Sequence, residues 1–495
     1  MKPKLTERIT DVYLITMLLL FPLFFGFSGY SQITLSKFVF LLAATGLWLA
    51  ALAWAALLRR AEKPFRHPAQ IAVLAAAGVS ILSWLCCGAL KTSFLGAGRF
   101  DGLLSALVYA LIFLGVSAFS RPKALHFRAF ALSVSLVMLI SLLQLAGRNP
   151  LHLYPRDLGF YDHGIRYSGV YLGTIGNTNI LDAIACLALP LFFSLYVCEI
   201  DWFCIVPVIL SVPVLWKAGG DGLKLSLLLT ALAVPPLLFT DLRRIRRALL
   251  ALAQLLLAAA LGALWQPGSE TPLRFAFSPL PAALIAAAAV CAALSFCPLP
   301  ARVSPSEPTL RRFFALLSGA ALAAGVLAVL LIPWKSGTLY EMREMLRGHA
   351  EDSFGSSRIR IWRGCLALIP DRPLLGRGPG MLAAYLDVAF SRYVPETGET
   401  LRSYADNAHN VYLGVLVNTG ALGLAAHLAA LGLAAAEGAR RRRGGLFLSL
   451  GLGLLCASFH AFFGLGLCLS EPLFWLALGC LCARCDEKAD PVRPE

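Results

Sequence analysis

Asp406–Leu424, DNAHNVYLGVLVNTGALGL, sets His409 and Asn410 side by side at the mouth of a long apolar run. An imidazole titrates near neutral pH, so at such a place it can take a proton from a substrate hydroxyl. It can equally serve as an interfacial anchor or a helix cap. Earlier, Ser356–Pro370 (SSRIRIWRGCLALIP) carries Arg358, Arg360 and Arg363 opposite Ile359, Trp362, Leu366 and Ile369, which recur at helical spacing. Two chemistries fit these arginines: attraction to anionic lipid headgroups, and recognition of a phosphate or pyrophosphate by the planar guanidinium fork. The following PDRPLLGRGPG, residues 370–380, lacks the Lys-Ser/Thr ending of a nucleotide-binding loop and reads as a rigid turn. Met381–Arg392 then resumes a short helix, which predicts an amphipathic helical hairpin lying on a membrane surface.

The elements that must hold these residues are membrane helices. Of 495 residues, 58% are hydrophobic and 14% charged, against roughly 25% charged in soluble domains. Mean hydropathy is +0.73. Apolar stretches long enough to span a bilayer recur at 11–30, 34–58, 69–90, 102–120, 127–147, 174–198, 202–216, 223–240, 248–265, 279–297, 313–333, 409–433, 445–467 and 471–484. The seventh and last are short, so the fold class is an all-α polytopic membrane protein with about 12–14 spans and a large extracytoplasmic loop. Three regions follow: a bundle of about eleven spans over 1–333, the loop with its hairpin over 334–408, and C-terminal helices with a short tail over 409–495. The first stretch is too long for a cleavable signal, and other spans follow at once.

Orientation follows from Lys and Arg. With the N-terminus inside, the inner segments hold 24 of the 43, against 9 on the short outer segments and ten in the long loop. Only short loops count in this bias, so both termini are expected to be cytoplasmic and the loop outside. Arg243, Arg244, Arg246, Arg247 and Arg440–Arg443 are then topology anchors. Scattered between helices, they form no nucleic-acid surface. Of thirteen cysteines, Cys480, Cys482 and Cys485 include a C-x-x-C spacing, without a second pair or a nearby histidine. Neither a metal nor a cofactor is expected.

Four segments together resemble the O-antigen ligase/O-antigen polymerase superfamily. AHNVYLGVLVNTGALGL, from Ala408, is similar to its H-N-x-Y-L…G-x-x-G-L signature. GRFDGLL (98–104), GTIGNTNILDAIACLALP (173–190) and SRIRIWRGCLALIPDRPLLGRGPG (357–380) fit in the same order. The resemblance implies a metal-independent membrane glycosyltransferase of the GT-C type in the bacterial cytoplasmic membrane. Such an enzyme takes a glycan from an undecaprenyl-diphosphate carrier and joins it to a hydroxyl of a glycan, lipid or wall-polymer acceptor on the outer face. It implies catalytic roles for His409, which activates the acceptor hydroxyl or orients the sugar, and for Arg358, which holds the diphosphate. Arg360, Arg363 and Asn410 lie beside them as substrate-binding candidates. Where many members carry Ser-Arg-Gly at the start of a middle span, this chain has Gly220-Asp221-Gly222. Lys217 or Lys224, or Arg166 and Arg99 on neighbouring loops, are candidates to replace that arginine.

Two other classes compete with this reading. A transporter or flippase of lipid-linked glycans should show repeat symmetry and charges near the bilayer midplane; the sequence shows few buried charges and gathers its unusual residues on one face. A catalytically inactive family member is hinted at only by Asp221. Ligase and polymerase differ in the acceptor alone.

Overall fold

The computed structural model describes residues 4–484 except 59, 61–62, 147, 154–160, 163–164, 167–170, 200, 266–274, 276–277, 298–304 and 395–398; in 161–171, 392–394, 399 and 401 only the backbone is described. The chain begins with α1 (Leu5–Ile15), a π-turn (Thr16–Leu20) and α2 (Phe21–Leu23), followed by α3 (Ile33–Leu57), α4 (Pro68–Cys86), the short α5 (Leu90–Leu95), α6 (Leu103–Phe119) and α7 (Ala124–Leu145). The middle of the chain forms α8 (Thr178–Glu199), α9 (Trp202–Ala218), α10 (Asp221–Leu238), α11 (Leu242–Leu264), α12 (Pro279–Phe296) and α13 (Glu307–Leu331). The loop carries α14 (Thr338–Leu346), α15 (Phe354–Ala367) and α16 (Leu382–Tyr385). The chain closes with α17 (Val411–Arg440), α18 (Gly445–His460) and α19 (Glu471–Leu481). Three two-stranded antiparallel pieces complete it: β1 (Tyr161–Asp162) with β2 (Ile165–Arg166), β3 (Tyr171–Leu172) with β4 (Gly176–Asn177), and β5 (Ala389–Val394) with β6 (Glu399–Tyr404).

This is an all-α polytopic membrane protein. Among the described residues nine helices are long and apolar enough to cross a bilayer, and α6, α9, α18 and α19 are shorter apolar helices. Each expected stretch coincides with a helix or, at the N-terminus, with the run from α1 to α2. Burial grades outward from α8, whose apolar window is 89% buried, to α13, whose window has no buried residue. In a membrane protein that gradient separates a protein-packed centre from a lipid-facing rim, since apolar residues are at home in both. α8 packs against α7, α9, α10, α11 and α18. Near the N-terminus, Pro22 and the end of α2 leave carbonyls without helical partners. Lys37 of α3, buried, donates to Phe21 O at 2.7 Å and Pro22 O at 3.1 Å.

The 334–408 loop departs from the expected helical hairpin. Its first arm is the helix α15, but α16 is only four residues long, and Ala389–Tyr404 pairs as a β-hairpin with Phe390 opposite Ser403. The apolar face of α15 does not lie on the membrane. Ile361 and Cys365 are buried with Leu382, Leu386, Val388, Ala405, Ala408 and Val417, with Trp362, Leu368 and Ile369 packed around them. Leu366, expected on that face, is 54% exposed. The buried stripe runs through Ile361, Trp362 and Cys365, and Arg358 stands three, four and seven residues before them, on the same face and away from Arg360 and Arg363. Gly355, Ser356 and Ser357, all left-handed (φ of 61°, 58° and 66°), form a reversed turn immediately before it.

α17 is broken at Gly420 (φ 69°, ψ −172°). The break orphans backbone groups on both sides, and inside a membrane such groups must find partners. The loop before α16 supplies them. Arg377 N and Gly378 N donate to Val417 O and Asn418 O at 2.9 Å, while Ala421 N donates to Pro373 O at 2.8 Å and Leu422 N to Leu374 O at 3.3 Å. Glycine is required for this approach: a Cβ on Gly376 would stand 2.5 Å from the carbonyl carbon of Asn418. The rigid turn is therefore a wedge seated in a broken helix.

Candidate functional site

The wedge, the start of α17 and the loop before α6 meet at one point. Ala97 N donates to Gly380 O at 2.9 Å, and Ser93 Oγ to Pro379 O at 2.8 Å. Arg99 Nε pairs with Asp406 Oδ2 at 2.5 Å. Three of the four sequence segments are thereby joined by hydrogen bonds; the fourth enters through α8.

The turn before α17 is built residue by residue. Asn407 Oδ1 accepts from His409 N at 3.0 Å, Ala408 O accepts from Trp362 Nε1 at 3.0 Å, and Asn410 Oδ1 caps α17 by accepting from Leu413 N at 3.0 Å. Val411 N donates across to Ala461 O at 2.8 Å. Between these fixed points His409 adopts a left-handed conformation, φ 48°. A non-glycine residue there costs about 1–2 kcal/mol, which the four hydrogen bonds around it hold in place. The imidazole is half-buried, and its Nδ1 has no hydrogen-bond partner. Burial, and then the charge of Arg358, push its pKa down to about 4. At neutral pH it is an uncharged base.

Arg358 enters from the first turn after the reversed segment. Its Nη1 donates to Gly355 O at 3.1 Å, while its Nε is buried and unpartnered. Burial lowers its pKa; Asp221 and Asp182 act in the opposite sense. Arg358 thus stands within electrostatic reach of two carboxylates on one side and of His409 on the other. Asp182, buried on α8, accepts from Gly220 N at 2.9 Å through Oδ2, and its Oδ1 is unpartnered. Asp221 accepts from Thr338 Oγ1 at 2.6 Å and from Lys224 Nζ at 3.1 Å. The position that lacks an arginine therefore carries an acid tied to a lysine, next to the arginine that remains.

The other sequence-derived candidates distribute as follows. Arg99 and Asn410 belong to the cluster, and Lys224 reaches it through Asp221. Lys217, in the last turn of α9, forms no hydrogen bond or ion pair among the described residues. Arg363 points outward to Asp352 and to Ala350 O at 2.7 Å. Arg360 is exposed over the ring of Phe390 at 5.8 Å. Neither is in the site. The side chain of Arg166, like Cys485, lies outside the described residues. Asp182 was missed by sequence reasoning, although an acid inside an apolar stretch is itself a signal of function in a membrane protein. His460, also near Arg358, had no such signal beyond its type.

A cavity of about 180 Å³ adjoins this cluster between α4, α6, α17 and α19, bordered by Asn407 and Asn410 at its outer end and by His427, Glu471 and Trp475. A smaller one of about 40 Å³ follows, touching His427, His460 and Glu471.

The arrangement offers a neutral base, a half-buried guanidinium with donors to spare and two acids within electrostatic reach of that guanidinium. This set can take a proton from a hydroxyl and stabilise a departing anion. Residues 222–428 match the family model for O-antigen ligase, a segment that contains Arg358, His409 and the wedge but begins just after Asp221. No curated protein matches the chain.

Proposed function

From the match of residues 222–428 to the O-antigen ligase family model, we propose that this membrane protein transfers a glycan from an undecaprenyl-diphosphate carrier to an acceptor hydroxyl on the outer face of the bacterial cytoplasmic membrane. In the proposed step the acceptor oxygen attacks the anomeric carbon of the donor sugar. Its proton passes to the neutral imidazole of His409, and the bond between the anomeric carbon and the diphosphate oxygen breaks. The electron pair leaves with the diphosphate, whose growing charge Arg358 stabilises in a site of low dielectric. Asp182 and Asp221 orient the guanidinium; Lys224 adds a point charge where the family's second arginine would offer a fork.

The observation that carries this reading is that Asp182 Oδ1, Arg358 Nε and His409 Nδ1 are all buried without partners in one cluster. Buried polar atoms are rarely left unsatisfied, and those that are call for an explanation. A bound hydroxyl and diphosphate would satisfy them.

The test is transfer from a synthetic undecaprenyl-diphosphate glycan by purified protein in nanodiscs. Product from the parent and none from His409→Ala is expected; no product from any carrier-linked donor would overturn the reading in favour of a transporter or an inactive member. Orientation is tested by reporter fusions. Those after Arg60, Arg128, Arg247 and Arg443 should report cytoplasm and one near Glu351 the outside; an inside signal at Glu351 would put the site in the wrong compartment.

A further inference from the structure

We propose that the cavity between α4, α6, α17 and α19 binds a single uncharged sugar ring, the acceptor's terminal residue, which makes it the acceptor side of the site proposed above and rests on that reading. Its placement is the first argument. Asn407 and Asn410, which bracket His409 in the same turn, both line the cavity. A group held there lies against the turn that carries the base, whereas Asp182, Asp221 and Lys224 do not border it.

The lining is the second. It contains the carboxyls of Asp101 and Glu471, the hydroxyls of Tyr109, Ser80 and Thr419, the side chain of Asn418, and no Lys or Arg. Two carboxyls with no Lys or Arg in the lining accept hydrogen bonds from hydroxyls and offer a phosphate or a uronic acid no counter-charge. The diphosphate therefore belongs with Arg358 and the neutral ring with Asp101 and Glu471.

The third argument is unused hydrogen-bonding capacity. Trp475 Nε1 donates to Glu471 Oε2 at 3.1 Å, which fixes the carboxyl, while its Oε1 accepts no hydrogen bond among the described residues. The hydroxyl of Tyr109 is buried; it can turn its hydrogen to Ser105 Oγ, which already donates to Phe100 O, or to a ligand in the cavity. A donor and an acceptor held in fixed positions around a cavity are what selection of a sugar hydroxyl requires. At about 180 Å³ the space falls below the roughly 300 Å³ at which pockets for drug-sized ligands begin, which suits one ring.

The experiment uses the full chain in nanodiscs with methyl glycosides of neutral hexoses and of a hexuronic acid as probes, read by saturation-transfer NMR. At least one neutral hexoside should receive saturation and the hexuronate none. The signal should survive in His409→Ala, which lacks the base, and fall by about tenfold in Tyr109→Phe and in Glu471→Gln, each of which removes one hydroxyl partner with little change of shape. Where transfer is measurable, the same two variants should raise KM for the acceptor and leave KM for the donor unchanged. Absence of neutral-hexoside binding, equal binding of the hexuronate, or unchanged binding in both variants would overturn the proposal. Binding as expected in a protein that transfers nothing would leave the cavity assigned and remove the transfer reading instead.

Discussion

Arg99 and Asp406, 307 positions apart in the sequence, form an ion pair at 2.5 Å that ties the loop before α6 to the turn bearing His409. Both side chains are partly exposed, so the pair adds little to stability. Its effect is geometric: it fixes the outer end of the turn in which His409 is held.

Replacing the base should separate chemistry from folding. His409→Ala and His409→Asn are both expected to abolish transfer. Asn tolerates the left-handed conformation better than Ala, so His409→Asn should melt at or above the temperature of His409→Ala, with both within about 1–2 kcal/mol of the parent. Parental transfer by either variant would reduce His409 to an interfacial anchor.

The pH dependence of His409 has a definite sign. Its folded pKa, about 4, lies below the unfolded value of roughly 6.5, so between these values the unfolded chain binds the extra proton. Stability from this group is present above pH 6.5 and is lost as pH falls through the folded pKa. Because burial and then Arg358 cause the depression, Arg358→Gln should move the titration of labelled His409, followed by NMR, part of the way up. An unchanged midpoint would mean that the two side chains do not communicate.

Arg358→Lys preserves charge but removes the fork. Losing one charge-assisted hydrogen bond, about 1.5 kcal/mol, should lower transfer by about tenfold or more. Asp221→Arg adds a second guanidinium within reach of Arg358, and should tighten binding of the carrier diphosphate in the same nanodisc assay. Full activity of Arg358→Lys would leave the arginine a role as surface charge only.

Asp182 separates two effects. Asp182→Asn keeps an acceptor for Gly220 N but loses the charge facing Arg358, so transfer should fall by about tenfold while stability shifts by about 1 kcal/mol. Asp182→Leu abandons both partners and should destabilise by about 3 kcal/mol. Equal activity of Asp182→Asn and parent in the carrier-transfer assay would remove Asp182 from the site.

The wedge can be tested without substrate. Gly376→Ala combines a left-handed φ with a collision against Asn418 and should cost more than about 2 kcal/mol. Gly432→Ala, on α17 with open space around it, should be neutral or stabilising by up to about 1 kcal/mol. Thermal unfolding in detergent compares them, and equal melting temperatures would mean that the loop is not seated as described.

The helices were legible because a spanning segment announces itself by length and hydropathy alone, and the segments 98–104, 173–190, 357–380 and 408–424 do meet. The inward face of Arg358 was not legible, because the sequence allows two apolar stripes, one through Ile359, Trp362 and Leu366 and one through Ile361, Trp362 and Cys365, and only packing selects the second. The left-handed turn before Arg358 was hidden too, since Gly-Ser-Ser does not advertise it. The strands β5 and β6 were hidden for a related reason: Leu382–Tyr385 begins as a helix, and the change of period four residues later is too short to register against it. Asp182 was legible and passed over, as one acid inside an eighteen-residue motif quoted for its glycines and asparagines.

Gly420 lies ten residues into α17, about 15 Å along a helix and so about halfway through a hydrocarbon core of roughly 30 Å. α17 is synthesised after the segment that completes it, and that segment has to wait outside the bundle until α17 arrives. Biogenesis therefore includes a docking step, distinct from insertion, in which 373–378 moves in to satisfy Val417 and Asn418. Until that step is complete, the broken middle of α17 has backbone groups without partners.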